Sequence, residues 1–423
     1  MKHSSTTEAN LLQTGSNDQR VWIVSELYYP ELTSTGYFLT GIAEGLAADY
    51  DVSVLCGQPS YWAKGTSAPT SEIRNGVHVQ RCPATTLDKN KVVFKIVNLI
   101  TISLSIFFSA LFRFRVGDIV IAVTNPPFLP YVALLACRVR GGRFVLLVHD
   151  VYPEIFIRLD ILTARSIPVR LLDRTSKWLY NGANRIIVLG RDMQELVVGK
   201  LKGPRSKVVI AANWGDTQAN YPCDRSKNRL LERLNLKGRF IAQYCGNIGR
   251  THGIKDIVEA AKLLASDPEF HFLLIGWGAR KQWAIEQKQA HKLENLTILD
   301  PLEQNDLCDG LNACDVSLIA FSRGMSGISV PSRMYNVLAA GKPLLAVSDD
   351  DSELATVVKE EEIGWVIPPG RPALLVSALR EARGNQERLR SMGQRARQAA
   401  EAKYTRSHIL EVYRDLIEDI RAK

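Results

Sequence analysis

The sequence predicts an α/β protein made of two Rossmann-like, doubly wound domains. Three observations carry that expectation. Short apolar runs rich in Val, Ile and Leu alternate with longer amphipathic stretches, the pattern of parallel strands covered by helices on both faces. The runs fall into two series separated by a polar link, and 423 residues suit two or three domains of about 150 residues each. With 46% hydrophobic and 23% charged residues, the chain matches neither a disordered protein nor a polytopic membrane protein.

Taken in order, residues 1–19 are polar and are expected to be flexible. The first series places strands at 21–25, 52–56, 77–82, 119–123, 144–148, 186–189 and 208–211. After Asn213-Trp214-Gly215-Asp216 and a polar link through Lys227, the second places them at 240–245, 272–275, 296–299, 316–319, 344–347 and 365–367. Residues 386–423 are strong helix formers with few breakers, a tail expected to pack back across the domains. The resulting divisions are 1–19, an N-terminal domain 20–215, a C-terminal domain 216–395 and a helical tail 396–423.

One segment departs from this rhythm. From Ile96 to Phe112 the chain is uncharged, flanked by Lys89, Lys91 and Lys95 before it and by Arg113 and Arg115 after it. As a helix it would reach roughly 26 Å, short of a hydrocarbon core of ~30 Å. Lys91, Lys95, Asn98, Thr101, Ser105 and Ser109 recur at helical spacing and mark one polar stripe. That stripe favours a helix lying at a membrane interface over a buried core helix, and both over a spanning one. Charge agrees: of the chain's net +9, residues 86–186 carry +8, from 14 basic and 6 acidic residues, as suits anionic head groups. No basic patch is interleaved with stacking aromatics, so nucleic acid is not an expected partner. The seven cysteines are scattered and odd in number, which suits a reducing compartment and no structural metal. No basic start precedes an apolar core and a small-residue cleavage site, so no secretory signal is expected.

Several motifs fall where strands end. Gly246-Asn-Ile-Gly249-Arg250-Thr-His252-Gly253-Ile-Lys255 follows a strand and opens a helix. Its glycines let backbone approach a ligand, and the helix N-terminus with Arg250, His252 and Lys255 suits a diphosphate. The spacing is GxxGxxxG rather than the dinucleotide fingerprint. Ser326, Ser329, Ser332 and Arg333 surround Pro331, which suits a first helical turn closed by Gly341, and they offer a second anion-facing helix start. His149, Asp150 and Glu154 lie just beyond a strand, where an imidazole and carboxylates can orient an acceptor or take a proton; a polar helix-entry loop is the plainer reading. Gly36 permits close approach in the loop after the first strand. Trp214 and Gly276-Trp277-Gly278 offer a wall for a base or sugar, or simple core packing.

These residues resemble a family. Tyr28-Tyr29-Pro30-Glu31 with Gly36, Asn125-Pro126-Pro127, His149-Asp150-Val151-Tyr152-Pro153-Glu154, Asn213-Trp214, Gly246-Asn247-Ile248-Gly249, and Pro331-Ser332-Arg333 with Ala340-Gly341-Lys342-Pro343 are similar, as an ordered set, to family-4 retaining glycosyltransferases of GT-B fold. The nearest types are the colanic-acid fucosyltransferases and L-fucosamine transferases of bacterial exopolysaccharide and O-antigen synthesis. The resemblance implies two domains facing a cleft, with a nucleotide diphosphate-sugar on the C-terminal one and the acceptor on the N-terminal one. It also implies no cofactor or metal. The chain departs from the family at the paired glutamates, where Ile328 and Asn336 stand. It departs again at the diphosphate-loop Arg and Lys, where Asn247 and His252 stand, and Arg333 replaces a commoner lysine.

The expected function is retaining transfer of a sugar, fucose-type or N-acetylated, from a UDP- or GDP-linked donor to a polyprenyl-diphosphate-linked acceptor. The expected place is the cytoplasmic face of the bacterial inner membrane. The alternatives are a nucleotide-sugar epimerase of the same fold and a non-catalytic partner subunit of a polysaccharide assembly complex.

Overall fold

A computed structural model describes residues 19–31, 33–59, 67–87 and 91–423; most of the polar start, Leu32 and Lys89 lie outside them. Strands are β1 Val21–Val24, β2 Val52–Cys56, β3 Ser71–Arg74, β4 Val77–Arg81, β5 Ile119–Val123, β6 Arg143–Val148, β7 Arg185–Val188, β8 Val208–Ile210, β9 Phe240–Cys245, β10 Phe270–Ile275, β11 Leu296–Leu299, β12 Val316–Ala320, β13 Leu344–Val347 and β14 Gly364–Ile367. Helices are α1 Ser34–Leu46, α2 Val92–Arg113, α3 Leu129–Arg140, α4 Glu154–Arg158, α5 Ile167–Gly182, α6 Arg191–Val198, α7 Arg229–Arg233, α8 Ile254–Leu263, α9 Lys281–Ala290, α10 Leu307–Asn312, α11 Arg333–Ala339, α12 Glu353–Glu360, α13 Pro372–Gly384, α14 Gln386–Lys403 and α15 Arg406–Arg421.

The strands form two sheets, ordered β3-β4-β2-β1-β5-β6-β7-β8 and β11-β10-β9-β12-β13-β14. This is the GT-B architecture. Pairing is parallel throughout except β3 with β4, because the apolar strands are buried on both faces by helices. Each sheet reverses direction once, between β1 and β5 and between β9 and β12. Loops leaving the C-terminal ends of those strands diverge there and leave a crevice for ligand.

Three features differ from the sequence reading. Strand β3 was not expected: its SEIR pattern is half exposed, and it pairs through the Asn75-Gly76 turn, both residues at positive φ. Pro331 does not open a helix; α11 starts two residues later. A boundary at 395/396 would cut α14, whose Leu389, Ala396 and Ala400 pack in the C-terminal cores. The chain crosses between domains after α14, and α15 returns to place Ile409, Leu410, Tyr413, Leu416, Ile417 and Ile420 in the N-terminal core. The two crossings lie side by side, joined by Gly215 N–H donating to Tyr404 O at 3.0 Å. From α14, Arg397 grips the link by donating to the carbonyls of Thr217 and Asn220.

Helix α2 settles where its polar stripe points. Asn98 is buried and holds both the N–H and C=O of Leu87, at 3.0 and 2.9 Å, while Thr101 bonds Thr85. Ile102, Ile106 and Ala110 enter the N-terminal core. The opposite face, Val93, Ile96, Ile100, Leu104, Phe108 and Phe112, is exposed, so this is not a buried core helix. Among the described residues α2 is the one helix long and apolar enough to cross a membrane, yet it is seated along one side on the domain.

Candidate active site

The glycine loop after β9 is held by its neighbours. Gly246 N–H donates to Ile275 O, Ile248 N–H to Trp277 O, and Arg280 N–H back to Ile248 O, at 2.7–2.9 Å. The loop after β10 lies so close that a Cβ on Gly276, at φ +150°, would sit 1.9 Å from Gly246 O. Gly276 and Gly278 therefore serve the contact between two loops, and only Trp277 is presented outward, 45% exposed. Trp214 does not reach this wall; it is buried edge-on against Phe38 in the N-terminal core.

Arg333, the first residue of α11, lies across the ring of the buried Tyr244 at 4.6 Å. Its Nη1 is buried without a hydrogen-bond partner, and a Cβ on Gly246 would come within 3.0 Å of it. His252 stacks on Phe321 at 5.4 Å. Burial and the Arg333 charge push its pKa well down, so the free protein's loop draws its positive charge from Arg250 and Lys255 rather than from this ring. Arg250, Lys255, Arg280 and Arg323 all line a cavity of about 750 Å³.

The facing wall comes from the N-terminal domain. Ser34 at the start of α1 meets Ser332, Oγ to Oγ at 2.9 Å. Gly36, in the first turn of α1, is buried against the preceding loop, where a Cβ would strike Glu31 O at 2.5 Å; its lack of a side chain serves that contact. Thr124 Oγ1 accepts from the N–H groups of His149 and Asp150, fixing both beyond β6, and Thr35 Oγ1 lies 3.5 Å from His149 Nδ1. Asp150 pairs across the cleft with Ser329 in an antiparallel bridge, and Val151 N–H donates to Ile328 O. Glu154 points elsewhere: it pairs with Lys200 at 2.5 Å, which also holds Asp173, so it is a structural ion pair. Asn336 is also committed elsewhere, its Oδ1 accepting from Asp216 N–H and Asn220 Nδ2.

Sequence reasoning missed the carboxylates that shape the loop after β12. Asp349 Oδ2 accepts from Gly324 and Met325 N–H, at 2.6 and 2.9 Å, with Ser326 N–H farther away. From the other domain, Asp192 Oδ2 accepts from Gly327 N–H at 2.8 Å and Glu353 N–H at 2.9 Å. Beside it Arg191 pairs with Glu353 and Glu360, and Arg158 reaches over Gly324, where a Cβ would collide with its guanidinium. The only sequence signal was position: a carboxylate just past a strand end.

The family description "Glycosyl transferase 4-like domain" matches residues 35–214, and "Glycosyl transferases group 1" matches 226–399. The chain is 33% identical over 371 residues to the probable glycosyltransferase WbjE of Pseudomonas aeruginosa, covering 86% of this chain and 89% of the relative. This chain belongs to the family-4 GT-B glycosyltransferases. It is also 24% identical to the putative colanic acid biosynthesis glycosyl transferase WcaI of Escherichia coli K12, over 84% of this chain and 90% of that one. HepE of Anabaena, whose crystal structure is a complex with UDP-glucose, shares the fold with a TM-score of 0.71 at 14% identity, over 94% and 99% of the two chains.

In this glycosyltransferase His149 is tied to pH. Burial lowers its pKa from the ordinary 6.5 to about 4, so the ring is neutral at pH 7. Between pH 4 and 6.5 the unfolded chain binds more protons than the folded one, so this contribution to stability is full above about pH 6.5 and is lost as pH falls toward 4. Its worth is at most ~3 kcal/mol. Thermal melts across this range are expected to show a shallower pH slope for His149→Gln than for the parent. An unchanged slope would assign the effect to the other buried imidazoles, His252 and His271, whose pKa values burial also lowers.

Proposed function

We propose that this glycosyltransferase moves a sugar, with retention at its anomeric carbon, from a nucleoside diphosphate-sugar to a polyprenyl-diphosphate-linked acceptor in bacterial surface polysaccharide synthesis. The observation that carries the donor half is the buried, unpartnered Arg333 Nη1 beneath the glycine loop. A guanidinium N–H left unpaired in a protein interior is costly unless an anion completes it. The complex of HepE with UDP-glucose supports a donor of this class, and the names of WbjE and WcaI support the polysaccharide setting.

In this reading the diphosphate lies against Arg333 and the two loops, with Arg250 and Lys255 at its open side. The acceptor oxygen bonds to the anomeric carbon as the bond from that carbon to the diphosphate oxygen breaks, and the leaving diphosphate takes the acceptor's proton. Neutral His149 and Asp150 position the hydroxyl, and the N–H and guanidinium donors stabilise charge on the leaving group. One such donor is worth about 3 kcal/mol in the transition state. The proposal includes metal independence, because guanidinium, ammonium and N–H donors can neutralise the leaving diphosphate without a cation.

The acceptor half rests on the outer face of the N-terminal domain. Alongside the exposed stripe of α2 stand Leu135 and Val139 of α3 and Ile167, Leu171 and Trp178 of α5. Cationic Arg138, Arg170, Arg174 and Lys177 are interspersed. Apolar side chains ringed by cations suit the surface of an anionic bilayer, which supports a position at the cytoplasmic face of the inner membrane. Incubation with bacterial lipid extract and labelled UDP- or GDP-sugars is expected to move label into lipid, equally with and without chelator. Label recovered only as free epimer, or nothing bound and nothing transferred, would overturn the proposal; loss on chelation alone would overturn its metal-free part.

A further inference from the structure

A second cavity lies in the N-terminal domain, outside the cleft that holds Arg333. It measures about 140 Å³ and is walled by Phe128, Tyr131, Tyr152, Phe156, Leu172 and Leu179. Thr124 also lines it, and Thr124 Oγ1 accepts from both His149 and Asp150 N–H, so the cavity abuts the groups that face the acceptor. At its rim Phe128 is about half exposed. Tyr131 stacks flat on Trp178, ring centroids 6.3 Å apart, and Trp178 belongs to the exposed apolar and basic face of α3 and α5. The cavity therefore joins that face to the candidate acceptor residues.

The chemistry of the walls selects the occupant. A sugar ring would bring several hydroxyls, each costing about 1–3 kcal/mol if buried without a partner. The hydroxyls of Thr124, Thr175, Ser176 and Tyr131 already have partners inside the protein. Thr175 Oγ1 donates to Leu172 O at 3.0 Å, and Tyr131 Oη lies 3.4 Å from the Thr175 and Ser176 hydroxyls. No carboxylate, amide, guanidinium or ammonium group lines the cavity. Beyond the hydroxyls of Tyr152 and Tyr180, what it offers is aromatic and aliphatic surface, worth about 25 cal/mol per Å² of apolar area covered.

We propose that this cavity holds the isoprenoid units nearest the diphosphate of a lipid-linked acceptor, while the rest of the chain passes Trp178 and Leu171 into the bilayer. The inference rests on the lipid-linked acceptor of the preceding section and adds a subsite to it. Seating the first units would fix where the sugar end emerges beside Thr124, so that lipid selects the acceptor as well as tethering it.

The test uses the full chain with saturating UDP, so that the donor cleft is filled, and compares farnesyl diphosphate with inorganic diphosphate by calorimetry. The parent is expected to bind farnesyl diphosphate at least tenfold more tightly. Thr175→Phe, which fills the cavity, should erase that preference while UDP affinity and melting temperature stay at parental values. Leu172→Ala, which widens it, should keep the preference, guarding against a variant that fails to fold. No preference in the parent, or a preference that survives in a folded Thr175→Phe, overturns the subsite. The two readings fail separately. If farnesyl diphosphate binds in the cavity but label never enters lipid, the transfer reading falls and the subsite stands. If Thr175→Phe labels lipid as well as the parent, the subsite falls and transfer stands.

Discussion

Arg333→Met is expected to abolish most nucleoside diphosphate affinity while leaving the melting temperature of the unliganded protein unchanged or slightly raised. The two effects have one cause. In the free protein Nη1 is buried without a partner, a penalty of about 1–3 kcal/mol that methionine removes. The contact over Tyr244 returns about 0.5–2 kcal/mol when a cation sits there, so the free protein gains or loses little. With ligand the balance reverses: a charge-assisted bond from a buried guanidinium contributes about 2–3 kcal/mol, or roughly 30- to 150-fold in Kd. Arg333→Lys keeps the charge without the planar fork and should fall between. Calorimetry with UDP and GDP beside thermal melts reads both quantities. Unchanged affinity, or a folded state that collapses on substitution, would remove Arg333 from the donor site.

Replacing Ile100, Leu104 and Phe108 together with Glu should release the enzyme from anionic vesicles without disturbing its fold. These side chains are 52%, 49% and 56% exposed, so about half of each remains available to lipid. At about 1 kcal/mol apiece, from half the worth of a fully buried apolar side chain, the loss is ~3 kcal/mol, about two orders of magnitude in partitioning. The buried side of α2, with Asn98 gripping Leu87 and Ile102 and Ile106 in the core, is untouched, so melting should hold. Sedimentation with vesicles of mixed neutral and anionic lipid measures it. Parental partitioning by the triple variant would show that this face does not contact lipid.

The sheets were legible because their strands are buried on both faces and read as continuous apolar runs; β3, at an edge and half in water, carried no such run. Its signal was the Asn75-Gly76 turn, which a search for apolar strands passes over. Motifs were legible as chain positions but not as directions. His252, Glu154 and Asn336 stand where an active-site side chain could stand, yet their neighbours come from residues far along the chain: Arg333 for the first, Lys200 for the second, Asp216 for the third. The same distance hid Asp192, which reaches 135 residues ahead to Gly327. A carboxylate that accepts from backbone N–H groups leaves no pattern in the side chains it serves.

The return of α15 bears on how the protein is made. Domains generally fold as units in the order of synthesis, yet the N-terminal core here is completed by Ile409, Leu410, Tyr413, Leu416, Ile417 and Ile420. While the ribosome still holds the last few dozen residues, the first domain translated has a sheet whose apolar covering on the α1 side is unfinished. The second domain can close before the first. The nascent chain thus carries an open hydrophobic seam through most of its synthesis, and a stop codon shortly after Lys403 would leave that seam exposed for good.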